Sequence, residues 1–459
     1  MPAFFFARNT AMIDSAPLRC LTPSGWTTAR LRADAAGRVQ SLDPAREDAA
    51  RFALPGIPNT HSHAFQRAMA GLAERQEHPE DSFWTWRELM YRFAGRLDPD
   101  ALRDVAAQLY AEMLEAGYTH VCEFHYLHHQ PDGTPYADRA AMSRALLEAA
   151  AETGIRMTLL PVLYMTGGFD GRALEPRQRR FGHALDAYLT LLQTLRGLES
   201  GTLRVGVALH SLRAVPAEAM AALLEATADA SFPIHIHIAE QTAEVEQCIA
   251  ARGARPVRWL LDHASIDARW TLVHATHLAD EEIRGIAASG ACVSLCPTTE
   301  ANLGDGLFPL RAFLDAGGRF SIGSDSHVSV SPVEELRWLE YGQRLAARRR
   351  NIASSADTPG AGEALLRQAW QGGAQGAGLA LGRLEEGAFA DLIVLDSEAP
   401  ALAGACEGDV LERFLFAGNR SLVAETWVGG KRVVAEGRHS RRDAIAQRYA
   451  RTLRRLLAD

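Results

Sequence analysis

Pro55-Gly56-Ile57-Pro58-Asn59-Thr60-His61-Ser62-His63 ends an apolar run in two histidines one residue apart. In an extended strand successive side chains alternate faces, so His61 and His63 point the same way and two imidazoles reach one ion. That is half a metal site. A lone His-x-His also fits two polar residues on a turn, and ligands further downstream decide between the two readings.

From about residue 54 the chain alternates apolar strands with amphipathic helices, the signature of parallel β/α units. Strands are expected at 53–57, 118–124, 156–163, 205–209, 234–239, 270–274, 291–295 and 320–324, with helices such as 99–115, 142–152 and 333–350 between them. Eight such strands fit an α/β fold of the (β/α)8 TIM-like barrel type, whose reactive groups gather at the C-terminal strand ends. A doubly wound open sheet competes, yet no Gly-x-Gly-x-x-Gly follows an early strand. Residues 1–53 read as short β segments, turning at Pro23-Ser24-Gly25 and Ala36-Gly37. After a Gly372-Gly373 turn, β character returns at 391–395 and 426–434, and a helix over 443–457 closes the chain. The expected organisation is a barrel over 54–380, with 1–53 and 381–459 forming a small composite β-sheet domain beside it.

The 459 residues are 47% hydrophobic and 23% charged, which is the balance of a globular protein with a sizeable core. A net charge of −8 argues against nucleic-acid or membrane-surface partners. No apolar run approaches the roughly 18 residues of a membrane span. Phe4-Phe5-Phe6 is too short, and too soon followed by Arg8 and Asp14, for a secretory signal, so a cytoplasmic location is expected. The six cysteines contain no Cys-x-x-Cys pair, which leaves neither a disulfide framework nor a thiolate zinc site. Cys292 and Cys296 fall on one face of an expected strand, as buried structural thiols do.

The barrel says where further ligands must sit. Its fifth strand, Ile234-His235-Ile236-His237-Ile238-Ala239-Glu240, puts His237 near the C-terminal end and His235 a layer deeper, in a core or supporting role. The sixth ends at His274 and the eighth at Gly323-Ser324-Asp325, where glycine permits close approach. Four strand ends thus bring ionisable groups to one ring. Glu240, three residues past His237, is close enough to pass a proton from a water to a leaving nitrogen; alternatively it caps the following helix.

On these residues the sequence resembles the mononuclear branch of the amidohydrolase superfamily. The resemblance implies a metal held by His61, His63, His237 and Asp325, with His274 and Glu240 as catalytic groups and Asp325 sharing in proton transfer. Three imidazoles, a carboxylate and a water suit one Zn2+, other divalent ions remaining open. The dinuclear branch carries a lysine on its fourth strand; Arg204-Val205-Gly206-Val207-Ala208-Leu209-His210 has none.

Longer stretches are more specific. They run over residues 59–67, over Asp81-Ser82-Phe83-Trp84-Thr85-Trp86-Arg87-Glu88-Leu89-Met90-Tyr91, and over 123–126 and 210–215. Two more are Thr299-Glu300-Ala301-Asn302-Leu303-Gly304-Asp305-Gly306 and residues 323–329. Together they resemble the formimidoylglutamate deiminase family. That resemblance implies hydrolysis of N-formimino-L-glutamate, a dicarboxylate of histidine degradation, to N-formyl-L-glutamate and ammonia. It also implies a pocket lined by Gln66, Arg87, Tyr126, His210 and Arg213, with arginine forks clamping carboxylates, and a homodimer. Two alternatives stand beside it: an aminohydrolase acting on a ring such as guanine, cytosine or a triazine, and a barrel without catalytic activity. The roles of His235, His277 and His327 stay open, as does which arginine takes which carboxylate.

Overall fold

A computed structural model describes residues 13–45, 51–75, 83–228 and 231–458. Phe4-Phe5-Phe6 and Asp81-Ser82 lie outside the described residues. The barrel strands are β1 (Ile57–Ser62), β2 (Tyr118–His125), β3 (Arg156–Leu163), β4 (Val207–Ser211), β5 (Ile234–Ile238), β6 (Trp270–His274), β7 (Cys292–Leu295) and β8 (Arg319–Ile322). Each pairs in parallel with the next in sequence, in the order β1 to β8. The ring closes at its C-terminal end. There Asp325 N–H donates to the His61 carbonyl at 3.0 Å and His63 N–H donates to the Asp325 carbonyl at 3.2 Å.

The expected strand 53–57 is divided between two sheets. Phe52–Pro55 belongs to the second sheet, between Leu18–Thr22 and Leu392–Leu395, whereas Ile57–Ser62 opens the barrel. The chain changes sheets at Gly56, whose N–H donates to the Asp391 carbonyl at 2.9 Å and where a Cβ would run into the Thr119 side chain. An unbroken apolar run carries no mark of this switch.

The second sheet is mixed, and it joins the two ends of the chain as expected: Gly25–Ala33, Leu18–Thr22, Phe52–Pro55, Leu392–Leu395, Val423–Val428 and Lys431–Ala435 lie side by side. It has a small apolar core of its own, including Leu18, Leu31, Val39, Leu392 and Val394. A buried ion pair ties it to the barrel. Arg156 of β3 meets Asp391 in a fork, Nε to Oδ2 at 2.9 Å and Nη2 to Oδ1 at 3.0 Å, with the guanidinium 3.6 Å from the centre of the Phe389 ring.

Gly372-Gly373 is not a turn. Both residues lie inside the helix Ala361–Ala377, pressed against the β8–β1 seam: a Cβ on Gly372 would meet the Phe320 carbonyl, and one on Gly373 would lie 2.8 Å from the Pro58 ring. Glycine serves here for close approach. The end of this helix also plugs the N-terminal end of the barrel, its Gly376 carbonyl accepting from His235 Nε2 at 2.8 Å and its Ala377 carbonyl from Thr158 Oγ1 at 2.9 Å. His235 is therefore a core histidine. Cys296 sits just past β7, at the start of the helix Pro297–Leu303, rather than on the strand with Cys292. Among the described residues no helix is long and apolar enough to cross a membrane.

Candidate active site

Where β8 meets β1, the seam itself brings donor atoms together. His61 Nε2 lies 3.2 Å from His63 Nε2 and 3.0 Å from His237 Nε2, and Asp325 Oδ1 lies 3.4 Å from both His61 and His63 Nε2. His63 Nδ1 donates to the Phe124 carbonyl at 2.8 Å and His237 Nδ1 to the His210 carbonyl at 2.9 Å, so each of these rings turns the lone pair of Nε2 towards the cluster. Burial, and then the neighbouring imidazoles, hold His61 and His237 well below the ordinary histidine range. Neutral rings with converging lone pairs beside a carboxylate repel one another unless a cation lies between them. Donor spacings of 3.0–3.4 Å suit ligands about 2 Å from a common ion. The donor set fits a divalent cation.

The backbone around this cluster is unusual. Ala239, His274, Ala275, Asp325 and His327 take φ of 52°, 67°, 48°, 43° and 61°, left-handed values that non-glycine residues rarely adopt and that gather at functional sites. His274 Nε2 faces Glu240 Oε1 at 3.7 Å and Asp325 Oδ2 at 3.8 Å. Burial alone would lower the pKa of His274, but Glu240, Glu300 and Asp325 outweigh it and carry the ring up to about 10. Burial pushes the Glu240 carboxyl up to about 7, with His274 pulling the other way. Glu240 does not cap the next helix, Thr242–Arg252, whose N-cap position is Gln241. Glu244 in its first turn instead accepts from the Ala239 and Glu240 N–H groups at 3.1 and 3.0 Å and so holds the strand end that carries Glu240.

All the site residues expected from sequence except His61 line one cavity of about 940 Å3, its open mouth included. His61 lies beneath it, fully buried. Gln66 Nε2 donates to the Tyr126 hydroxyl at 2.9 Å. Arg87, on the helix Phe83–Ala94, stands 5.1 Å from the centre of the Tyr91 ring. Burial first, then the charges of Arg213 and Arg87, hold His210 well below the ordinary histidine range. Both arginines line the same cavity as the His/Asp cluster.

Several groups escaped sequence reasoning. Trp86, Tyr91, Tyr164 and Phe181 give the cavity an aromatic wall. Trp86 and Tyr91 stand in a quoted stretch, but Tyr164 and Phe181 follow β3 in no recognisable motif. Glu123 accepts from Ser62 Oγ and Ala64 N–H, both at 2.7 Å, and so braces β1 beside His61 and His63. Glu300 lies 3.3 Å from His274 Nδ1. The sulfur of Cys296 lies within 4.8 Å of His274 and Asp325 donor atoms. His327 sits between the Ser62 and Ser324 hydroxyls at 3.2 and 3.0 Å, bracing the seam.

The sequence matches the model of the amidohydrolase family over residues 52–433. It is 51% identical over 447 residues to the formimidoylglutamate deiminase of Pseudomonas aeruginosa, covering 96% of this chain and 98% of that one. Its structure resembles the crystal structure of an amidohydrolase from Brucella melitensis, with a TM-score of 0.90 and 44% identity over 97% of this chain and all of the other. An atrazine chlorohydrolase from Arthrobacter aurescens, solved with zinc, shares the fold with a TM-score of 0.81 at 22% identity, over 95% of this chain and 99% of that one.

Proposed function

The chain belongs to the amidohydrolase family, and from that premise we propose that it hydrolyses N-formimino-L-glutamate to N-formyl-L-glutamate and ammonia with one bound Zn2+. The observation that carries this reading is the make-up of one cavity, lined both by metal-type donors with Glu240 and His274 and by the two arginines Arg87 and Arg213. A linear molecule with a reactive amidine at one terminus and carboxylates at the other matches that combination of groups. The identity to the Pseudomonas enzyme, spread over nearly the whole of both chains, supports it.

In this reading His61, His63, His237 and Asp325 hold the ion, a set of imidazoles and a carboxylate that suits zinc. When bound, such an ion supplies Lewis acidity and lowers the pKa of a water towards ~7. Glu240, as a carboxylate, takes a proton from the attacking water; with its pKa pushed up to about 7, it can return that proton to the departing nitrogen. His274 Nε2, set between Glu240 and Asp325, donates to the adduct as the formimino carbon becomes tetrahedral. The water oxygen joins the carbon, the bond to the terminal nitrogen breaks, and ammonia leaves. Arg87 and Arg213 bind the carboxylates through charge-assisted forks and exclude shorter or uncharged amidines. Tyr126 and Gln66, bonded to each other beside His63, border the reacting end.

Product analysis tests this proposal. Incubation with N-formimino-L-glutamate is expected to yield ammonia and N-formyl-L-glutamate in equal amounts. Formamide and glutamate instead would mean that the other carbon–nitrogen bond is cut.

A further inference from the structure

The stretch Thr299 to Gly306 supplies none of the ligand, acid–base or carboxylate-binding groups named above, yet Glu300 is buried to 4% exposure next to them. We infer that Glu300 is a positioning residue for the reaction, fixing the His274 ring so that its Nε2 faces Glu240 and Asp325. This inference rests on the proposed function. His274 and Ala275 leave β6 in left-handed conformations, φ 67° and 48°, so the pleat of the strand does not set the direction of the ring. Something else must. Within hydrogen-bond distance, the ring has one partner among the described residues: Glu300 Oε1, 3.3 Å from Nδ1. The contacts of Nε2 to Glu240 and Asp325, at 3.7 and 3.8 Å, are too long to anchor it. With Nδ1–H donated to Glu300, Nε2 is the nitrogen left towards the cavity. A half-turn about Cβ–Cγ would put carbon in its place.

Glu300 is itself held. Its Oε1 accepts from Cys296 N–H at 2.9 Å. The helix that carries it, Pro297–Leu303, is fastened at its start, where Thr298 N–H and Oγ1 donate to Glu335 at 2.9 and 2.6 Å. The adjacent Thr299 Oγ1 lies 3.0 Å from Ser326 Oγ and accepts from Ser326 N–H at 3.2 Å, beside Asp325. One short segment after β7 therefore registers the histidine of β6 against the aspartate that follows β8. A carboxylate suits the task because a charged acceptor makes a stronger bond than an amide.

The test compares metal-replete wild type with Glu300→Gln and Glu300→Ala on N-formimino-L-glutamate, and includes a crystal structure of Glu300→Gln. Second-layer partners of this kind are expected to cost about 10- to 100-fold in kcat, with KM within about twofold and metal content unchanged. The His274 ring is expected to be turned in the Gln structure. If Glu300→Ala fails to fold, the near-isosteric Gln variant decides alone. A Gln variant with wild-type kcat, or one whose lower activity follows lost metal, overturns the inference. Wild type without turnover would count against the proposed function instead, and then an unmoved ring in the Gln structure would still overturn the role of Glu300.

Discussion

Replacing Gly323 by Ala tests whether the barrel seam builds the metal cluster. A Cβ at this position would lie 2.6 Å from His61 Cβ, 2.8 Å from its carbonyl oxygen and 2.9 Å from its nitrogen. All three atoms are fixed to the β1 backbone, so no side-chain rotation relieves the clash. Reaching an ordinary contact of 3.4 Å from 2.6 Å requires the strands to part by 0.8 Å. The two hydrogen bonds that close the ring, at 3.0 and 3.2 Å, cross the same seam. Overpacking of this kind costs about 1–3 kcal/mol of stability. The heavier effect falls on the donors, because His61 and Asp325 belong to opposite sides of the seam; a misplacement near 1 Å lowers kcat/KM by about 100-fold. The assay is kcat/KM together with zinc per chain by elemental analysis after dialysis. Gly201→Ala is the control, since a Cβ there has nothing within 4 Å. A Gly323→Ala protein with wild-type zinc content and kcat/KM within about twofold of wild type would mean that the seam does not set the donor positions.

Arg213→Ala is expected to raise KM for N-formimino-L-glutamate by at least about tenfold, because a hydrogen bond to a charged group contributes about 1.5–3 kcal/mol and 1.4 kcal/mol is a decade. Deamination of an uncharged ring by the same variant, if detectable in wild type, should be unchanged in steady-state assays. Glu240→Gln should lower kcat about 100- to 10,000-fold while leaving zinc bound, read by turnover and elemental analysis. Burial pushes Glu240 up to about 7, and its base role needs the ionised form, so activity should fall as pH drops through that value; in a pH–rate profile, a limb flat from pH 8 to pH 5 would contradict this. Arg156→Met strands Asp391 in a site where both side chains are 1% exposed, and should cost about 3–5 kcal/mol in chemical denaturation.

The histidines at the strand ends are legible from short-range regularities, whereas Gln66, Arg87, Tyr126, His210 and Arg213 rest on the family resemblance. Alternation along a strand puts His61 with His63 and His235 with His237, and the polarity of a barrel then ranks His237 above His235. Both steps need only local geometry. What stayed hidden depends on contacts between residues far apart in sequence. The run 53–57 looks like one strand because nothing local says that Gly56 carries the chain from one sheet to another. Gly372-Gly373 looks like a turn, since a helix that needs glycine for its fit against Phe320 and Pro58 shows that need only once packed. Glu300 stood in a quoted stretch without a role because its partner, His274, is 26 residues away. The aromatic wall from Tyr164 and Phe181 comes from the segment after β3, Tyr164 just past the strand and Phe181 at the end of a short 3-10 helix, Pro176–Phe181, and only the fold brings the two to the cavity.

One bound ion and one substrate are joined in the proposed reaction, and a reconstitution assay tests both together. Protein stripped with chelator and refilled with increasing zinc is given N-formimino-L-glutamate while ammonia release is followed. No turnover is expected without metal, and full turnover is expected to return at one zinc per chain. Undiminished ammonia release from the stripped protein, or none from the refilled one, would contradict the proposed reaction.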